Sequence, residues 1–512
     1  MIATLKSWLA IDLRSLAALR IGVAVVALWD LGVRACDLAV HYTDAGTLAR
    51  QDVLTWFDNR HDLAVSVHLL GGSTAIQALV FTLHAAALLA MMLGWHTRAA
   101  TAASWLLTLS LHLRNPFLVY GADVLLRLLM LWGILLPLGA RWSLDAATAP
   151  VAARERTHCF GIAAIGVQLQ VAAVMFIAGA AKMATPFWLR GEGLATALDH
   201  EFHTRPLGFW VQRQGWLVRP LNHLVMGIEG AGAILVFAPR WPLRVLVVLA
   251  MWAMLAGIAS TMEVGFFAHA TAVALLVFVP SQAWDRIARA VSRSERLSRW
   301  RMRALGLTAR WFPSARVDVV ESGSRLPRLP HLLAELFAAW LIAYTAIWNV
   351  GFWYDRDYEP PAGFAELGSA LFLWQQWGMF TSIETTGWFV VPGNLEDGRS
   401  IDLMANRGRL PTLEQAMEQP PDYRRPQHIA ERLPNIHWQA HFATMVLAPD
   451  QPGPFRYYSR YLCREWNRRH SGGQALRTLQ IIYMTRPTQP HPAAHAETEY
   501  ERRVLWTHDC FG

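Results

Sequence analysis

Apolar positions in this chain gather into long, nearly unbroken runs. Nine stand out, at roughly 16–33, 72–94, 99–113, 120–139, 160–182, 222–239, 243–262, 264–281 and 331–350. Most have the length a helix needs to cross about 30 Å of hydrocarbon. The pattern predicts an all-α polytopic membrane bundle of about nine transmembrane helices. The third run is short and the turn before it is tight. The first run carries Arg20 and Asp30 and lacks a small-residue cleavage site, so it reads as a helix rather than a signal peptide.

Past residue 350 the pattern changes. The last 160 or so residues are rich in Pro, Arg and Trp and hold no spanning run, which predicts a soluble, mixed α/β or β-rich domain. Trp388–Val391 and Ser400–Met404 flank the turn sequence Gly393–Gly398 as strand, turn and strand. Helices are expected at 365–380, 412–418 and 455–470. The organisation is then 1–282 transmembrane, 283–330 a basic loop, 331–350 the last span and 351–512 the C-terminal domain.

Composition agrees. Of 512 residues, 54% are hydrophobic and 16% charged, against about 25% charged in a typical soluble domain. The net charge of +8 has a local home, because 283–330 holds eleven arginines and four acids. Arg286, Arg289, Arg293, Arg296, Arg299 and Arg303 recur at helical spacing between Ile287, Leu297 and Trp300. That is an amphipathic helix on anionic lipid, so the basic balance points to a membrane surface and not to nucleic acid. Placing the basic turns inside puts the N-terminus in the cytoplasm. Loops 34–71 and 183–221 and the C-terminal domain then lie outside, periplasmic for a bacterial inner-membrane protein. Cys463 and Cys510 share that oxidising side and can pair. The four cysteines lack metal-ligand spacing and no HExxH occurs, so no metal is expected.

Several polar groups sit in the spans. Asp30 and Arg34 are four apart and can pair, as can Asp123 and Arg127. Glu229 has no cation on its own helix. His84, His269, Gln168 and Gln170 complete the set. Intramembrane charges face cavities or each other and are functional candidates; structural ion pairs and packed core histidines are the plainer reading. Lys182 ends the apolar run that begins at Gly161. A lysine held partly out of water can serve as a general base, or it can simply anchor the helix end at the interface.

Four ordered motif groups carry a family resemblance. They are Leu19-Arg20-Ile21-Gly22 with Trp29-Asp30, Arg34 and His41–Gly46; Arg114-Asn115 with Tyr120-Gly121, Asp123, Leu136–Gly139 and Arg141-Trp142-Ser143; Phe176-Ile177-Ala178-Gly179 with Lys182, Trp188 and Gly191; and Glu263–His269 closing at Pro280. Together they cover about 10–285. The chain resembles the vitamin K-dependent gamma-carboxylase family, in its bacterial branch of HTTM (horizontally transferred transmembrane) domain proteins. The resemblance implies nine helices, an exterior catalytic face and a reduced quinone as co-substrate: vitamin K hydroquinone in the carboxylases, menaquinol or ubiquinol in a bacterium. It places Lys182 at the position of the base. Asn115, Asp123, Arg127, Glu229 and His269 are the candidate cavity residues, with Asp30 and Arg34 as a structural ion pair. One departure stands out. Where the carboxylases carry a histidine shortly before Tyr-Gly, this chain has Pro116, with His112 near but offset.

Two function classes follow. One is a carboxylase-like lyase acting on a quinol and a protein or peptide substrate. The other is a non-catalytic membrane protein that binds lipid or quinone and recruits an envelope partner through its C-terminal domain. A transporter ranks behind both, because no inverted repeat or paired broken helices are visible.

Overall fold

Each of the nine apolar runs folds as helix in the computed structural model. It describes every residue except 1–7, 60–64, 150–155, 293–327, 355–357, 359, 382, 407–409, 427–428, 430–431, 490–498 and 512. The helices are α1 (Leu13–Cys36), α2 (Thr74–Leu93), α3 (Thr97–Arg114), α4 (Gly121–Leu135), α5 (Ile162–Met183), α6 (Gly215–Leu235), α7 (Trp241–Thr261), α8 (Phe267–Ala274) and α9 (Arg328–Tyr354). Among the described residues five are long and apolar enough to cross a bilayer alone: α1, α2, α5, α7 and Pro330–Gly351 of α9. The bent pair Phe267–Phe278 and Ser281–Val291, at 101°, would make a sixth. The others fall short for physical reasons. At 15 residues, α4 rises only about 22 Å, and it is buried along most of its length. In α3, threonines, serines and His112 dilute the apolar run. Pro220, Asn222 and Glu229 interrupt α6.

Local chemistry sets the helix ends. Asp12 caps α1 by accepting from Arg14 N at 2.7 Å, and Ser73 caps α2. Gly94 ends α2 with φ 69°, the left-handed conformation that glycine tolerates best. Tyr120 and Asp123 form a capping box on α4. In the packing, α5 lies between α6 and α9, while α1 contacts α2 and α8. Arg286 and Arg289 do lie on a surface helix, Ser281–Ser292, with Arg286 stacked on Trp241 at 4.0 Å. Arg293, Arg296, Arg299 and Arg303 lie outside the described residues.

The C-terminal region is α plus β. Its antiparallel sheet is built around the twelve-residue β4 (Leu476–Pro487). On one edge, β1 (Thr385–Val390) pairs with the C-terminal half of β4 and β2 (Pro392–Leu395) with its N-terminal half. Beyond β2 lies β3 (Ser400–Asp402), and β5 (Glu501–Asp509) covers the other edge. The expected hairpin is real but shifted: β2, not Trp388–Val390, forms its first arm. Trp388, Phe389 and Val390 pair with Met484, Tyr483 and Ile482 instead. Helices α10 (Ile436–Leu447) and α11 (Pro452–Asn467) pack on the sheet around Trp388, Trp438 and Trp466. Leu413–Glu418 is helical as expected. Cys463 and Cys510 are joined by a disulfide with Cα atoms 5.4 Å apart.

The helix expected at 365–380 stops early. It covers only Phe364–Ala370, and the chain then enters the helical bundle in irregular form. Phe372 and Phe380 adopt positive φ, 52° and 61°, a strained choice for aromatic residues. Both are held from the bundle side: the Arg127 guanidinium donates to Phe372 O, and Trp188 Nε1 donates to Phe380 O at 2.8 Å. Between them, Gln375 Oε1 accepts from Gln170 of α5 at 3.0 Å. Part of the soluble region thus belongs to the core of the membrane bundle.

Candidate functional site

Lys182 and Glu229 are the centre. The last turn of α5 carries Lys182 and the middle of α6 carries Glu229. The two helices come very close because Gly179 faces Gly230: a Cβ at Gly179 would lie 2.5 Å from Gly230 N. That close approach brings Lys182 Nζ to 2.6 Å from Glu229 Oε2. Both side chains are buried, at 4% and 7% exposure. Nζ also faces the ring of Trp188 at 5.3 Å, which adds a cation–π attraction. Asn222, one turn from Met226 on α6, holds Trp188 in place by donating to its carbonyl at 2.9 Å. Burying two charges is costly unless they pair with good geometry, and here the partner of each comes from a neighbouring helix.

An apolar slot of about 590 Å³ runs along the same two helices and α9. Phe176, Ile177, Ala180, Ala233, Ile234 and Trp353 are among its walls. Ala233 is one helical turn from Glu229, and Ala180 is two residues before Lys182. Lys182 lies on the other side of α5 from Ala180, so the slot shares helices α5 and α6 with the ion pair, and the pair is not among its walls. Gly378 of the inserted tail segment lies over the end of α5, where an added Cβ would be 3.5 Å from Ala181 Cβ.

A second buried cluster collects the remaining charges. Arg34 bonds Asp30 at 2.7 Å, Asp123 at 2.6 Å and the Tyr42 hydroxyl at 2.8 Å. The Asp30–Arg34 pair stands as expected. Asp123 and Arg127 do not form the expected pair. Asp123 turns to Arg34 on α1, and Arg127 bonds His112 Nδ1 at 2.7 Å and stacks over Phe372 at 4.8 Å. His112 Nε2 lies 3.4 Å from Asp123, so the histidine that is offset in sequence bridges these two residues in space. His437 of α10 reaches in to Asp30 at 2.8 Å. Two carboxylates and two guanidinium groups balance, with imidazoles at the joints.

Asn115 and His269 join neither cluster. The Asn115 amide donates to His41 O at 3.0 Å, while its Oδ1 is buried without a partner among the described residues. Across His41 lies His441, 1% exposed and with neither ring nitrogen partnered among the described residues; burial pushes its pKa down to about 4. His269 is exposed on α8 and sits edge-on to Trp29 at 5.2 Å. It is therefore not the packed core histidine that the plainer sequence reading expected. His84 is packed as expected and bonds Thr108 at 3.1 Å.

Sequence reasoning missed His437, Phe372 and Gln375. Residues 367–383 carry no charge in an otherwise charged tail, and that was the available signal. Among the described residues no group of three or more His, Cys, Asp or Glu could hold a metal ion. No family model matches the chain, and no curated protein or solved structure matches it either. By its own helices and sheet it is a multi-pass membrane protein with a separate, strand-containing C-terminal domain.

Proposed function

We propose that the protein is a quinol-dependent membrane enzyme of the carboxylase type, with Lys182 as its base. The observation that carries this is the buried Lys182–Glu229 pair, held between the two helices that also wall an apolar slot. A membrane quinone has an apolar tail and a small polar head, and slot and pair offer one environment for each. The fit favours menaquinol or ubiquinol, with the tail along Phe176 and Trp353 and the head toward Lys182. A bound quinol would supply an ionisable hydroxyl for oxygen-dependent base chemistry. To accept a proton, Lys182 must first give one up, and Glu229 Oε2 at 2.6 Å is the adjacent acceptor. Trp188 and the tail segment at Gly378 keep water from that exchange. In the same reading all nine helices cross a bacterial inner membrane, and the pair opens to the periplasmic side. The protein or peptide acted upon would meet the C-terminal domain.

A second reading, a non-catalytic lipid- or quinone-binding protein, draws on a different observation. The pair is closed on itself and covered by residues 371–381, as a structural anchor would be. The two separate in nanodiscs, by following oxygen-dependent quinol oxidation beside quinone binding in wild type and Lys182→Arg. Arginine keeps the charge but cannot act as a base near neutral pH. The enzyme reading expects turnover in wild type and at least a hundredfold loss in the variant with binding retained. Binding without turnover in either favours the scaffold, and absence of quinone binding overturns the enzyme reading and leaves the second reading only a lipid as its ligand.

A further inference from the structure

We propose a second ligand site, remote from Lys182: the concavity between α11 and the end of β5 binds the phosphate group of a small phosphomonoester. The cavity measures about 530 Å³, and its walls include Arg456, Arg460, Arg464, Trp506, His508 and Asp509. Sites for small organic ligands commonly have such volumes.

The sequence builds it simply. Arg456, Arg460 and Arg464 repeat every four residues on α11, so they share one face and follow each other about 6 Å apart along the axis. The end of β5 supplies the facing wall. Cys463 and Cys510 both border the cavity, and their disulfide ties helix to strand. The two walls are therefore fixed relative to each other before any ligand arrives.

Charge is out of balance there. Arg464 Nη2 donates to the carbonyls of Ala45 and Gly46 at 2.6 and 2.8 Å, which orients the guanidinium without neutralising it. Asp52 lies 4.0 Å from Arg460, and Asp509 borders the cavity while accepting from Phe511 N at 2.9 Å. Arg456 has no ion-pair partner among the described residues. Burial, together with Arg460 and Arg456 nearby, holds His508 below its ordinary pKa, as expected beside uncompensated cations. A phosphate dianion would answer this excess, because guanidinium forks match its oxygens two at a time.

The rest of the wall suits the organic part of such a ligand. Trp506 stacks on Phe455 at 5.8 Å, its Nε1 is buried without a partner among the described residues, and Phe511 is exposed. A covalently braced concavity with aromatic sides fits one small molecule better than an extended polyanion. The phosphate could belong to a water-borne ester or to a lipid headgroup.

The test uses the full chain in phosphatidylcholine nanodiscs, titrated calorimetrically with sn-glycerol 3-phosphate, beside flotation on vesicles containing phosphatidic acid. Saturable binding of glycerol 3-phosphate identifies a soluble source, and binding confined to phosphatidic acid vesicles identifies a headgroup. In either case Arg456→Gln/Arg460→Gln should weaken binding at least tenfold, and Arg456→Lys/Arg460→Lys by less. Arg468→Gln/Arg469→Gln, whose arginines pair with Glu465 on another part of α11, should change nothing. The His508 pKa, followed by NMR, should rise when the ligand binds. Absence of binding to both probes, or binding that the double glutamine variant leaves intact, overturns the proposal. Should that variant not fold, the lysine variant and the His508 titration decide.

Discussion

Replacing Lys182 by methionine tests the central geometry without assuming any activity. The wild-type ammonium and carboxylate are 2.6 Å apart, and both are almost wholly buried. Removing one partner of such a pair leaves the other charge buried and uncompensated, at a cost of about 3–5 kcal/mol. Lys182→Met therefore strands Glu229 as a buried, unpaired carboxylate, and Glu229→Gln strands the Lys182 cation beside an amide. Lys182→Met/Glu229→Gln removes both charges together. Methionine can fill the lysine's place beside Trp188, and the amide asks far less of its surroundings than a carboxylate. The double variant should be less damaged than the sum of the singles, with a coupling energy of at least about 2 kcal/mol. The assay is tryptophan fluorescence during thermal unfolding in one detergent, with all four proteins read on the same transition. Additive single effects would refute the reasoning, because they would mean that the two charges do not meet.

Three further outcomes follow from named contacts. Gly179→Val should force α5 and α6 apart, since its Cβ meets backbone at 2.5 and 2.8 Å; a loss of about 1–3 kcal/mol and slower quinone binding would be seen in the same nanodisc assays. His441 is held neutral by burial with a pKa of about 4, below the 6.5 of an unfolded histidine. Its contribution to stability is thus full above pH 6.5 and is lost as pH falls toward 4, by roughly 3 kcal/mol in all; His441→Phe should flatten the melting temperature between pH 7 and 5. Cys463→Ser/Cys510→Ser opens a loop spanning 47 residues and should cost about 2–4 kcal/mol, read as lowered thermal stability of the C-terminal domain with the bundle transition unmoved.

The sequence announced the bundle because spanning a bilayer demands about 20 apolar residues in a row, and such runs survive any arrangement of neighbours. It announced less about α3, α4 and α6. Largely buried against other helices, α3 and α4 can be short or polar, while α6 keeps Asn222 and Glu229 on its one buried face and leaves Leu224 and Ile234 exposed. Individual pairings were least legible. Asp123 and Arg127 have the spacing of an ion pair, yet each found a better partner on another element, Arg34 on α1 and His112 on α3. Spacing reports only what one helix can offer; the partner that wins is set by helix packing. Glu229 makes the same point in reverse. It had no cation in its own apolar run, and the glycine contact at Gly179 and Gly230 brought it one from α5.

The inserted segment 371–381 joins these observations into one physical statement about the site. Arg127 spends one arm on His112 and the other on Phe372 O, and Trp188, which faces Lys182, holds Phe380 O. Both clusters of buried charge thus grip the same stretch of tail, one at each end. The positive φ values of Phe372 and Phe380 cost of order 1–3 kcal/mol each, and those two hydrogen bonds offset the strain where it arises. Closure over the buried amine and anchoring at the charge-balanced cluster thus rest on the same two carbonyls.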